Sequence, residues 1–113
     1  MAVSFRQPRH EILPMRAMDL DQVMEIERLS FRSPWSRQVF LEELDREFAH
    51  LDVLRPRGGG PCLAFVNYWV VREEVHVLNV ATHPDERRRG LGTQILAHVI
   101  DYARTHQCRQ VSL

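Results

Sequence analysis

The strongest constraint in this chain is an abrupt change of period between residues 75 and 103. From Val75 to Thr82 apolar side chains occupy nearly every position: Val75, Val77 and Ala81 are expected on one face, Leu78 and Val80 on the other. Apolar residues on both faces mark a central strand covered from both sides. A turn containing Pro84 follows. Then Leu91, Ile95, Leu96, Val99, Ile100 and Ala103 recur as a one-sided helical stripe. Arg104 and His106 near its end suit the negative pole of the helix dipole. A buried strand feeding an amphipathic helix through a short turn requires an α/β architecture.

The turn between them carries the chemistry. Val80-Ala-Thr-His-Pro-Asp-Glu-Arg-Arg-Arg-Gly-Leu-Gly-Thr93 ends a strand and starts a helix at a Gly-x-Gly. The first amides of a helix lack intrahelical acceptors and sit at its positive pole, which makes such a terminus an anion site. Gly90 and Gly92 tolerate unusual dihedrals and put no Cβ in the way of a ligand. Arg87, Arg88 and Arg89 add positive charge that Asp85 and Glu86 partly offset, and arginine holds phosphate by paired hydrogen bonds. Two familiar phosphate loops are excluded. No lysine follows either glycine, as a P-loop needs, and the third glycine of a dinucleotide fingerprint is replaced by Ile95. By itself a Gly-x-Gly also suits a plain strand-to-helix turn.

Upstream, the first nine residues are polar and expected to be loose. Ile12–Met18 reads as a short edge strand because Pro14 lacks an amide. Asp19 is placed to cap a helix, with Gln22 as its capping-box partner, and Leu20, Val23, Met24, Ile26 and Leu29 form its apolar face. Pro34 interrupts that helix within Phe31-Arg-Ser-Pro-Trp-Ser36. Ser36 caps a second helix, on which Phe40, Leu44 and Phe48 are expected to line one side. Leu51–Leu54 and Cys62–Val71 read as strands separated by an Arg-Pro-Gly turn. Arg72–Glu74 reads as a polar hairpin tip, and Cys108–Leu113 starts a further strand.

With 113 residues the chain has room for one small domain. Fifteen basic residues balance fifteen acidic ones, which lacks the basic excess of a nucleic-acid binder. Cys62 and Cys108 have no paired spacing, and with the six histidines they show no zinc-ligand pattern. No signal-peptide core and no apolar run of about 18 residues is present. A cytoplasmic protein with reduced thiols, no metal and no membrane contact is the expectation.

Arg87-x-x-Gly90-x-Gly92 resembles the acetyl-CoA motif of the GNAT superfamily, and Val80–Pro84 resembles that family's strand end. Phe31–Ser36 and Glu74–Ala81 are similar to the same segments of the bacterial ribosomal-protein-alanine N-acetyltransferases (RimI type). The likeness runs in order from about Ile12 to Leu113. It implies a mixed, mostly antiparallel central sheet with helices on both faces. The family's last strands and last helix are expected after Leu113, so that 1–113 is one incomplete acetyltransferase domain.

The resemblance also implies acetyl-CoA as co-substrate and a protein N-terminal amine, alanine of a ribosomal protein, as acceptor. Backbone groups of Val80, Ala81 and Thr82 would take the pantetheine arm as an added strand. Arg87, Arg88, Arg89, Gly90, Leu91, Gly92 and Thr93 would surround the pyrophosphate. The Phe31–Ser36 loop would help form the acceptor groove. The family's general base, a glutamate, is expected immediately after Leu113 and its tyrosine acid further on, which leaves no catalytic residue within the chain and weak or absent transfer as the expected behaviour.

Glu73, Glu74, His76 and His83 lie near that path but read more simply as a solvated tip, a sheet-face residue and a turn residue. Tyr68, Trp69 and Tyr102 read as packing residues, and Trp35 suits packing and groove-lining equally. Two other readings stand beside this one: a non-catalytic relative that binds CoA or needs a partner to complete its sheet, and a general nucleotide-binding module.

Overall fold

Five strands lie in sequence order across one sheet, β1-β2-β3-β4-β5. They are β1 (His10–Pro14), β2 (Ala49–Pro56), β3 (Ala64–Val71), β4 (Glu74–Thr82) and β5 (Gln110–Ser112). The first four pair antiparallel and β5 runs parallel to β4. The helices are α1 (Leu20–Ser30), α2 (Arg37–Asp45) and α3 (Leu91–Thr105). This computed structural model describes residues 2–3 and 8–113; the expectation of a loose start falls partly outside them.

Two cores sandwich the sheet. On one face Leu20, Val23 and Ile26 of α1 and Phe40 of α2 pack with Leu51, Val53, Phe65 and Ala81. On the other, Leu91, Ile95, Val99 and Ala103 of α3 pack with Leu54, Val66, Tyr68, Val75 and Val77. Full burial of each large side chain contributes about 1.5–3 kcal/mol, so both layers are needed to hold the sheet. Helical angle explains two expected core residues that stay outside. Leu29 is 42% exposed because nine residues turn it about 180° from Leu20, and Ile100 is 39% exposed at the rim of the four-residue row.

Other boundaries moved for local reasons. β1 stops at Pro14, not Met18, and a 3-10 turn over Ala17–Asp19 follows. Asp19 does not cap α1. Its carboxylate accepts the Arg16 amide at 2.8 Å and pairs with Arg55, while Gln22 accepts the Cys62 amide at 2.7 Å. Ser36 does cap α2, through the Val39 amide at 3.3 Å. That helix ends at Asp45, so Phe48 sits in the following turn, edge-on to Trp69 with ring centroids 5.0 Å apart. β2 extends well beyond Leu51–Leu54, and its polar residues find partners: His50 stacks on Tyr68 and Asp52 binds His98.

A bulge in β4 changes which side chains face which core. Asn67 stands opposite Asn79 while Tyr68 stands opposite Val77, so Leu78 is an extra residue with no partner. One extra residue inverts the alternation beyond it. Val75 and Val77 therefore face α3, while Ala81 packs beneath α1 and α2. The expectation that Val75, Val77 and Ala81 share a face is wrong, and Val80 joins the α3 side instead of pairing with Leu78. Leu78 itself is 42% exposed.

Nε2 of His98 on α3 donates to the Asp52 carboxylate at 3.0 Å, and this bond raises the His98 pKa above the ordinary value, against desolvation and with help from Asp101. A raised histidine pKa stabilises the fold below its unfolded value of about 6.5 and loses that contribution as pH rises through the folded value. His98→Asn is therefore expected to lower Tm more at pH 5 than at pH 8. Equal losses at both pH values in paired thermal melts would remove the ion pair as the cause.

Candidate functional site

The site lies along the end of β4. The bulge at Leu78 bends this strand and strengthens its twist just before Val80. A cleft of about 360 Å³ lies beside the strand from there to Thr82. β4 supplies Val80, Ala81 and Thr82, the end of α1 supplies Ser30 and Phe31, the turn supplies Arg87, and α3 supplies Gly92 and Leu96.

The turn closes one end. His83 folds it by accepting the Asp85 amide at Nδ1 (3.2 Å), and a 3-10 turn over Pro84–Glu86 follows. Arg88 (φ 68) and Gly90 (φ 76) both lie in the left-handed region. Gly90 is the residue that needs glycine, because its φ strains any L side chain although space around it is open. Gly92 is helical, and an added Cβ would meet only Thr82 Oγ1 at an ordinary 3.8 Å; what its hydrogen leaves free is the cleft wall.

Left-handed residues within a turn aim neighbouring amides into a common concavity. Gln94 makes the first helical bond, to Gly90 O at 3.0 Å, and no side chain caps α3. The earlier amides of this 15-residue helix are thus available to an anion. Arg89 is paired with Glu86 at 3.0 Å. Arg87 reaches Ser30 Oγ at 3.5 Å, and Arg88 has no ion-pair partner among the described residues. Positive charge therefore concentrates at Arg87 and Arg88.

A cleft along the end of a strand and a turn with unpaired amides leading from that strand into a helix form one continuous surface. The family model for the acetyltransferase (GNAT) family matches residues 20–113. The chain belongs to the GNAT family. It is 31% identical over 100 residues to a putative ribosomal protein bS18-alanine N-acetyltransferase of Bacillus subtilis, covering 88% of this chain and 65% of that relative. It is 30% identical over 90 residues to the bS18-alanine N-acetyltransferase of Escherichia coli K12, covering 80% and 59%. The chain thus spans less than two thirds of the length of either relative.

The crystal structure of the E. coli ribosomal-protein-S18-alanine N-acetyltransferase superposes with a TM-score of 0.80 at 28% identity, over 90% of this chain and 64% of that one. A Thermoplasma acidophilum PaiA N-acetyltransferase in complex with coenzyme A gives 0.75 at 13% identity, over 88% and 74%. At that identity the second likeness is one of fold. The mixed, mostly antiparallel sheet with helices on both faces is the GNAT architecture.

Within this GNAT domain the expected donor residues do not all share one surface. Val80, Ala81, Thr82, Arg87 and Gly92 line the cleft. Arg88, Arg89 and Gly90 are exposed on the turn, and Thr93 is exposed on the first turn of α3. The Leu91 side chain is buried in the α3 core, so only its amide is available to a ligand. Sequence reading did not find Ser30, Phe31 or Leu96 in the cleft, because only tertiary packing brings α1 and α3 to the β4 edge. The periodicity of α3 was the one available signal for Leu96.

It also missed two buried carboxylates. Glu27 on α1 accepts the Trp35 amide at 2.8 Å and Asn79 Nδ2 at 3.0 Å. Glu43 on α2 accepts Asn67 Nδ2 at 3.1 Å and Trp69 Nε1 at 2.7 Å. Both sit among charged residues on helices whose apolar residues alone suggested burial. Trp35 packs on Phe40 with centroids 5.4 Å apart, so it anchors the Phe31–Ser36 segment. Tyr68 is core, 1% exposed.

The other candidates have local roles. Glu73 pairs with Arg109 at 3.1 Å at the hairpin tip, and His76 lies between Glu74 (3.4 Å) and Ser112 (3.0 Å) on the sheet face. Burial pushes the Cys62 thiol up to about 11, which keeps it protonated. No group of three or more potential metal ligands is found among the described residues. No helix among them is long and apolar enough to cross a membrane.

Proposed function

We propose that this chain holds the acetyl donor of an acetyl-CoA-dependent N-acetyltransferase whose acceptor is the N-terminal alanine of a ribosomal protein. The observation that carries the reading is the cleft along Val80–Thr82 of β4, continuous with the Arg87–Gly92 turn and its left-handed residues. A pantetheine arm fits that edge as an extra strand, bonded to backbone of Val80, Ala81 and Thr82. A pyrophosphate fits the turn, facing the amides of Arg88 through Thr93 and the guanidinium of Arg87. Acetyl-CoA supplies the activated acyl group. The residues named here bind and orient it, and none of them is assigned to proton transfer.

The acceptor follows from the relatives' names, which specify bS18 alanine. A groove of about 620 Å³ between α1 and the Pro34–Trp35 segment, floored by Met24 and Trp35, is the surface assigned to it. This acceptor would place the protein in the cytoplasm.

Calorimetric titration tests the donor site. CoA is expected to bind at least tenfold more tightly than ATP, because only CoA has an arm to lay along β4. Equal affinities would replace this reading with a general nucleotide site. Gly90→Val, which forces a branched residue into the left-handed region at a cost of about 1–2 kcal/mol, is expected to weaken CoA binding roughly tenfold. The acceptor is tested by mass spectrometry of peptides carrying the bS18 N-terminus, and acetylation that ignored the first residue would remove the alanine assignment.

A further inference from the structure

We infer that Glu27 is a positioning residue that couples the donor strand to the Phe31–Ser36 segment, so that occupation of β4 by CoA and ordering of the acceptor side reinforce each other. This inference rests on the donor-site reading above. Glu27 is 1% exposed and stands on α1, one turn before Ser30 and Phe31, which wall the cleft. Its two carboxylate oxygens serve different elements. Oε2 accepts the Trp35 amide, and Oε1 accepts Asn79 Nδ2. Asn79 directly follows the extra residue Leu78 and directly precedes Val80, where the donor edge begins. A single rigid side chain thus bridges the bulge and the acceptor loop.

A ligand laid along Val80–Thr82 fixes the strand directly after Asn79. That holds the amide against Glu27, and Glu27 in turn holds Trp35. Linkage makes the effect reciprocal: whatever orders the loop must tighten CoA by the same factor. The bridge also has a spare acceptor. Asn79 Oδ1 is buried and has no hydrogen-bond partner. Glu27→Gln can therefore accept Trp35 through its carbonyl oxygen and donate its amide to Asn79 Oδ1 after the asparagine turns over. Glu27→Leu can do neither.

Hydrogen exchange of the Trp35 amide, resolved by NMR with and without saturating CoA, tests this without relying on turnover. In the wild type CoA is expected to slow that exchange at least tenfold. In Glu27→Leu the amide should exchange rapidly and be indifferent to CoA, whereas Glu27→Gln should restore the response. Should Glu27→Leu fail to fold, Asn79→Leu serves instead: it keeps the Trp35 bond but cuts the strand, so protection should persist and no longer respond to CoA. A CoA response that survives in Glu27→Leu or in Asn79→Leu overturns the coupling, as does its loss in Glu27→Gln. CoA that binds the wild type without slowing Trp35 exchange defeats the coupling alone. CoA that does not bind at all defeats the donor-site reading and the coupling with it.

Discussion

Glu43→Ala is expected to lower the unfolding free energy by about 3–5 kcal/mol, because it leaves the buried donors that face the carboxylate without an acceptor. Glu43 is 3% exposed beneath α2. One of its oxygens takes hydrogen bonds from Asn67 and Trp69, and the other meets Arg46 at 2.5 Å. Asn67 is fully buried, and its Oδ1 already lacks a partner, so the mutation leaves the whole amide unsatisfied. Each orphaned buried group costs about 1–3 kcal/mol. Arg46 is half-exposed and recovers water, so it adds little. At roughly 4 °C per kcal/mol for a domain of this size, Tm should fall by about 12–20 °C. Glu43→Gln keeps an acceptor for Trp69 and should cost less than half as much. Urea denaturation that placed the alanine variant within 1 kcal/mol of wild type would mean that Asn67 and Trp69 find other partners, and the carboxylate would lose its structural role.

Deletion of Leu78 is expected to have the larger functional effect. Removing the extra residue restores plain pairing between β3 and β4. Val77 stays opposite Tyr68 and Asn79 opposite Asn67, so the side chains from Asn79 to Thr82 keep their faces and Asn79 keeps Glu27. What is lost is the bend and extra twist that the bulge gives β4 directly before Val80, where the cleft begins. CoA affinity should drop at least tenfold while the folded state persists. Leu78→Ala is the control. Its side chain is 42% exposed, so the substitution should change stability by no more than about 0.5 kcal/mol and leave CoA binding intact. A deletion variant that bound CoA as well as the point variant would show that the bulge is dispensable to the site.

These two positions mark where sequence reading stopped. The strand-turn-helix unit was legible because each part rests on local chemistry: β4 is apolar throughout, Gly90 permits a left-handed turn, and α3 repeats at helical spacing. Ser36 as a cap and Pro34 as a helix stop are equally local. Asp19 shows the limit of local rules, since its sequence context fits a cap but Arg55, 36 residues away, claims the carboxylate. An ion pair with a guanidinium outcompetes a marginal cap bond.

By itself, then, the sequence determined the order of elements, the central strand, the two-sided cover and the location of the Arg87–Gly92 turn. Periodicity and backbone preference act over a few residues, and those features need nothing more. Tertiary structure alone decided the face of each side chain after Val77, because a bulge costs one residue and leaves no mark in an apolar strand. It alone made Glu27 and Glu43 core residues, since a carboxylate is buried only where donors from distant strands converge on it. The cleft likewise exists only because the end of α1, β4, the turn and α3 meet in space.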